Sequence, residues 1–172
     1  MITGGNVQID KCTIDRFTTG INFVPTVSGS QLHVTDSIVR NNTGPGATNG
    51  GIFIGPASAS AKASIDHVRL ESNTFGLKAQ GTTNTTITNS TAQGNSFAGF
   101  STASAGAVLT LEHSTSTHNL TGVGCGIGTV RIGNMTITDN PTAMSTGGTC
   151  LSFHNNDVDV TIAVTLISPT PQ

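Results

Sequence analysis

One pattern recurs through this 172-residue chain and limits what it can fold into. In Ile132 to Thr146 (IGNMTITDNPTAMST) an apolar residue is followed two positions later by a turn-forming residue and eight positions later by Asn; a small residue and an apolar one come next. Ile65 to Ala79, Ile87 to Thr102 and Leu111 to Cys125 align with it column by column. The first apolar residue of each unit is Ile9, Val34, Ile65, Ile87, Leu111, Ile132 and Phe153, at spacings of 25, 31, 22, 24, 21 and 21 residues. A drifting period near 22 marks a solenoid whose coils carry loops of variable length.

Within each unit apolar residues alternate with polar ones, as in Leu109 and Leu111 or Val130 and Ile132, which is the period of strands. The chain therefore reads as all-β, with about seven rungs of three short strands each. These are named A (such as Gly122 to Cys125), B (such as Leu109 to Glu112) and C (such as Ser114 to Thr117). Stacked in parallel at about 4.8 Å per rung, seven rungs make a rod roughly 34 Å long. Inward columns follow directly. Val7, Leu32, Ala63, Thr85, Leu109, Val130 and Leu151 form one, Ile14, Val39, Leu70, Ala92, Ser116 and Ile137 a second, and Ile21, Ile52, Leu77, Phe100, Val123 and Met144 a third. The rung with the small residues Thr85, Ser90 and Ala92 supplies Phe100, the exchange of volume that a close-packed interior requires.

Two polar columns complete the unit. Lys11, Asp36, His67, Asn89, His113, Asn134 and Asn155 sit at the corner between strands B and C, where a left-handed backbone is expected. Asn42, Asn73, Asn95, Asn119 and Asn140 form a column whose amides can bond along the rod, with Phe17 replacing Asn in the first rung.

The Ile-x-Asn turn, the Asn column and the Gly-apolar pairs that begin at Gly51, Gly76, Gly99 and Gly122 resemble the repeat of the pectate-lyase-like superfamily. The likeness covers residues 7 to about 155 and implies a single-stranded, right-handed parallel β-helix. It also implies an extracellular or cell-envelope protein with polysaccharide as a partner. In the superfamily's enzymes, substrate lies across one sheet face. A lyase of this kind needs clustered calcium-binding carboxylates with an Arg or Lys base, and a polygalacturonase several Asp and a His; neither set can be assembled from the outward columns here. Residues 1–172 form one domain in this reading, with 156–172 as a C-terminal strand and tail. There Val158, Val160, Ile162, Val164 and Leu166 alternate before Pro169 and Pro171, as a capping strand or an edge for end-to-end self-association would. Residues 1–6 offer no polar cap, and Met1 is expected to open an excised segment of a longer protein.

Composition narrows the function classes. Charged residues are 9% of the chain and the formal charge is -2, with Lys and Arg scattered singly, so the basic stripe that nucleic acid needs is missing. No apolar run approaches the length of a membrane helix, and MITGGNVQ has no signal-peptide pattern. Cys12, Cys125 and Cys150 match neither a zinc site nor a disulfide framework; they read as buried thiols, with a Cys125 to Cys150 bridge as the alternative. The histidines fall in different columns or two rungs apart, so no metal site and no cofactor are expected.

Four surface features remain. Asp66 and Glu112 share an outward column of strand B, with Thr88 between them and His154 at its end, roughly 9.6 Å apart by rung spacing. That is near the upper separation for an inverting glycosidase pair, although acids interleaved with Thr also simply avoid like-charge repulsion. Asp15, Arg40 and Glu71 fall on successive rungs as an ion ladder. On strand A, Phe53 lies outward between Asn22 and Lys78, near the long insertions, as a ring on which a sugar can stack. Thr91, Thr115 and Thr136, with Thr117 and Thr138 beside them, form a regular array of the ice-binding kind or a solvated strand face. The expected function is a non-catalytic scaffold or carbohydrate-contacting module. The alternatives are a polysaccharide-processing enzyme using Asp66 and Glu112, and an ice-binding surface.

Overall fold

The computed structural model describes residues 1–153 and 155–159. Three parallel sheets wrap one core through about seven turns, and the described residues contain no helix. Sheet B runs from Asn6–Asp10 through Ser30–Thr35, Ser60–Asp66, Thr82–Thr88, Ala107–Glu112 and Thr129–Gly133 to Thr149–Phe153. Sheet C stacks Thr13–Asp15, Ile38–Arg40, Arg69–Glu71, Thr91–Gln93, Thr115–Thr117, Thr136–Thr138 and Asp157–Val158. Sheet A holds Thr19–Phe23, Gly50–Ile54, Phe75–Ala79, Ala98–Thr102, Thr121–Cys125 and Thr142–Thr146.

Through the sixth rung the expected columns are the observed registers; in the last B strand Cys150 takes the inward place expected of Leu151. Val34, Ile65, Ile87, Leu111 and Ile132 pair in series on sheet B, and Ile52, Leu77, Phe100, Val123 and Met144 do so on sheet A. All of these side chains are buried. The two large ring positions, Phe23 and Phe100, are fully enclosed. Every member of the B to C corner column has positive φ, from 46° at Asp36 to 72° at Asn155.

A second left-handed column, Arg16, Asn41, Ser72, Gly94, His118 and Asp139, turns each rung from sheet C toward sheet A. Its residue types are too varied to betray it in the sequence.

At these corners the strand ladder is interrupted, and side chains take over. Each ladder carbonyl accepts the main-chain N–H one rung earlier: Asn42 from Phe17 (3.0 Å), Asn73 from Asn42 (3.0 Å), Asn95 from Asn73 (3.0 Å), Asn119 from Asn95 (2.9 Å) and Asn140 from Asn119 (2.9 Å). The amide nitrogens donate the other way, for example Asn73 Nδ2 to the Val39 carbonyl and Asn95 Nδ2 to that of Leu70. A shorter serine series works at the other corner. Ser37, Ser90 and Ser114 accept from the N–H groups of Cys12, Val68 and Ser90, and each hydroxyl donates to a carbonyl two residues back.

Two expectations are corrected. Cys150 pairs with Val130 and Phe153 with Gly133, so the last B strand is shifted by one from the repeat and Phe153 is exposed rather than an inward anchor. The offset between rungs changes from 20 residues (Thr129 to Thr149) to 21 (Thr136 to Asp157), which places one extra residue at that corner. The cysteines are not all buried thiols. Cys125 and Cys150 form a disulfide with Cα atoms 5.9 Å apart inside the core, tying sheet A to sheet B, while Cys12 is free and exposed because its rung lies at the open end of the inward column. Of the C-terminal alternation, Val158 packs against the core, and Val160, Ile162, Val164, Leu166, Pro169 and Pro171 lie outside the described residues, as does His154.

Two stability predictions follow from these links. Asn95→Ala strands the buried Asn73 N–H and Leu70 carbonyl, and chemical denaturation should show a loss of about 3 kcal/mol. Cys125→Ser with Cys150→Ser opens a 25-residue separation and should cost about 3 kcal/mol relative to the oxidised protein, a gap that a reducing agent in the unfolding buffer should largely remove.

Candidate functional site

The acid pair of sheet B lies as the repeat places it, with Asp66 beside Thr88 and Thr88 beside Glu112. Asp66 is heavily engaged. Its carboxylate accepts from Thr88 Oγ1 (2.6 Å) and Asn89 Nδ2 (2.9 Å), and its other oxygen meets His67 Nδ1 at 2.8 Å. These bonds, from Thr88 first and then Asn89 and His67, hold its pKa down to about 2. A carboxyl ionised that far down has no proton to deliver near neutral pH. Only the base role is left, and both its oxygens are already occupied. The Glu112 carboxylate lies over Gly133, in the space a Cβ there would fill. The same Thr-to-acid bond recurs where Thr35 Oγ1 donates to Asp10 at 2.8 Å, so the interleaved threonines act as donors that hold the acids in place.

On sheet C the ion ladder forms only in part. Asp15 pairs with Arg40 at 3.4 Å, and its pKa is lowered first by the Asn41 side chain and then by Arg40 and Arg16. Glu71 does not continue the ladder, because Arg69 on the same strand takes its carboxylate at 2.8 Å. The threonine array is in register over three strands but is bounded by Arg69 below and Asp157 above.

Sheet A carries the most ligand-like surface. Asn22, Phe53 and Lys78 are in register as expected, but Phe53 is only 6% exposed and is not an open stacking ring. Its ring lies against the Gly55 backbone, where a Cβ would stand 2.4 Å away, so the insertion after this strand covers it. The insertion before this strand, 43–50, reaches Lys78, whose Nζ donates to the Ala47 carbonyl at 2.7 Å. The early loops thus roof the lower part of the outer face, and the sheet emerges at Lys78.

Just beyond the roof is an open groove of about 180 Å³, lined among others by Phe75, Lys78, Phe97, Ser101, Thr102 and Gly124. Phe75 and Phe97 meet at 4.9 Å between ring centroids with a tilt of 59°, and the Lys78 ammonium stands 4.7 Å over the Phe75 ring. Burial lowers the Lys78 pKa. Phe97 is 53% exposed and Leu120 50%; with Pro141 they follow one another at successive rungs, because Ala98, Thr121 and Thr142 pair in series. Phe97 lines the groove, and Leu120 and Pro141 continue the apolar row along the rod beyond it. Inside it, the hydroxyls of Ser101 and Thr102 are buried and have no hydrogen-bond partner within the protein.

Of the three residues expected to meet a sugar on strand A, Lys78 lines this groove while Phe53 is covered. Which aromatic is covered depends on the insertions, which differ from rung to rung: Phe53 lies under the chain at Gly55, while Phe97 is exposed. Among the described residues no cluster of three His, Cys, Asp or Glu could hold a metal, and no helix is long and apolar enough to cross a membrane. Compared with known proteins, the chain matches no family model, no curated protein and no solved structure.

The Asp66 and His67 corner has a defined pH response. The bond to Asp66 raises the His67 pKa above 6.5, while that of Asp66 is depressed from 3.8. A depressed acid stabilises above its unfolded pKa and loses this as pH falls toward its folded value; a raised histidine stabilises below its unfolded pKa and loses this as pH rises through its folded value. The pair therefore contributes most between 3.8 and 6.5. In an NMR titration Asp66→Asn should move the His67 midpoint downward, and an unchanged midpoint would show that the contact does not form in solution.

Proposed function

We propose that this protein is a non-catalytic β-helix scaffold that contacts carbohydrate through the groove on sheet A, and that it belongs with the pectate-lyase-like β-helices that its repeat resembles. The observation that carries the reading is the combination in one groove of an exposed ring, Phe97, the half-buried ammonium of Lys78 and the half-buried hydroxyl residues Thr121 and Ser145. Sugars present an apolar ring face and a rim of polar groups, and a shelf of this composition answers both. The open shape and the axial rail of Phe97, Leu120 and Pro141 suit a polymer lying along the rod. Against catalysis stands the lack of a carboxylate on this groove and the bonded state of Asp66.

The buried disulfide supports an extracellular or envelope setting, since such bonds persist in oxidising compartments. The test is a panel of soluble polysaccharides in affinity electrophoresis with wild type, Phe97→Ala, and Asp66→Ala combined with Glu112→Ala. Phe97→Ala should weaken retention about tenfold or more. The double acid variant should bind as wild type does, and no polymer should be shortened. Polymer cleavage by wild type that disappears in the double acid variant would overturn the non-catalytic reading, and a lack of retention on every polymer would remove the carbohydrate reading.

A further inference from the structure

We infer that the groove on sheet A receives the end of a carbohydrate chain and not its interior, with the terminal sugar stopped against a step made by Lys78 and the insertion at 43–50. This rests on the carbohydrate reading above and adds which part of the polymer the site takes. The outward column of the sheet runs Asn22, Phe53, Lys78, Ser101, Gly124 and Ser145 in register. Its two largest side chains stand on the second and third rungs, and from Ser101 onward the column holds only small residues. The face therefore drops between Lys78 and Ser101 and stays low as far as Ser145, on the last strand of sheet A among the described residues.

Loops are stacked on the high end. Phe53 lies under the backbone at Gly55, and the chain that follows leans on the third rung, where a Cβ at Gly81 would press on the Pro56 carbonyl oxygen. The insertion before Phe53 reaches the same rung at two points. Its Ala47 carbonyl accepts from Lys78 Nζ at 2.7 Å, and its Gly44 carbonyl from Thr74 Oγ1 at 3.5 Å. Thr74 is the residue directly below Phe97, whose main-chain N–H donates to the Thr74 carbonyl at 2.9 Å. The apolar row of Phe97, Leu120 and Pro141 thus begins where the insertion stops.

This arrangement gives a bound chain one way out. An interior segment has to continue in both directions. Along the rod it meets the Lys78 and Ala47 contact on one side, and the path past Gly124 and Ser145 is the one the described residues leave. Across the sheet it meets Phe97 and Leu120, which stand 53% and 50% exposed along the edge. A chain end needs a single exit. Its terminal ring can lie against Phe97 with its rim toward Lys78, and the sugars behind it run beside Leu120. From Ser101 to Ser145 is two rungs, about 9.6 Å, so the shelf holds a short terminal stretch.

The experiment counts ends. Xylan, mannan and mixed-linkage β-glucan are each used intact and after partial acid hydrolysis, and titration calorimetry compares affinity per gram for wild type, Phe97→Ala, and a variant with residues 44–48 deleted and Lys78→Ala. A polymer cut to about a tenth of its mean length offers about ten times as many ends per gram, so wild type should bind the hydrolysed form about tenfold more strongly per gram. Phe97→Ala should weaken both forms together and keep the ratio. Removing the step should bring the ratio toward one, because chain interiors can then enter; if that variant does not fold, the wild-type ratio decides alone. Equal affinity per gram for intact and hydrolysed polymer in wild type, or an unchanged ratio in the folded deletion variant, would overturn the chain-end inference and leave the carbohydrate reading standing. Absence of binding to all three polymers in both forms would overturn both.

Discussion

The rod depends on one requirement, that the main-chain N–H groups at its corners find acceptors. Within a strand the neighbouring rung supplies them, but the chain must turn twice between strands B and A, and at those turns the backbone adopts left-handed conformations that break the ladder. A buried N–H without a partner costs about 1 to 3 kcal/mol. The amide of Asn meets the need from two sides, since its carbonyl accepts from the rung before while its nitrogen donates to a carbonyl nearby. Ser does the same at the other corner, its oxygen accepting an N–H from the rung before and its hydroxyl donating to a carbonyl two residues back.

These bonds also fix register. An Asn that bonds the equivalent residue one rung away permits only one alignment of the strands on either side, and the inward columns inherit it. The core can then mix Phe100 with Thr85 and Ala92 at a fixed depth, because the side chains are held in layers. Where the repeat loosens, at the last B strand, the disulfide between Cys125 and Cys150 supplies a covalent tie, and the shift of one residue is absorbed at the corner. Low charge suits this architecture. Its polar work is done by neutral amides and hydroxyls, which stack at about 4.8 Å without the repulsion that like charges would suffer.

The same geometry shapes the proposed site. Regular rungs provide a flat outer face on sheet A, and the irregular insertions of the early rungs decide which part of it is open. Phe53 is covered by the chain after its own strand, and Lys78 is drawn to Ala47 of the loop before it. Past that roof, Phe97 and Leu120 continue along the corner with no loop over them, and Gly124 keeps the floor low.

The sequence by itself determined the strands, the period, the inward columns, the corner column and the Asn ladder, because each is a local pattern repeated until chance is excluded. It also placed Asp66, Glu112 and Lys78 in their outward columns, since strand alternation sets the direction of a side chain. Only the tertiary structure decided which outward residues meet solvent, which acids are already bonded and which cysteines pair. Some of those outcomes depend on contacts between residues 20 or more positions apart, such as Thr88 with Asp66, Lys78 with Ala47 and Cys125 with Cys150, and others on which neighbour is nearer, such as Arg69 for Glu71. A repeat fixes where a side chain points, whereas insertions that differ from rung to rung fix what lies above it.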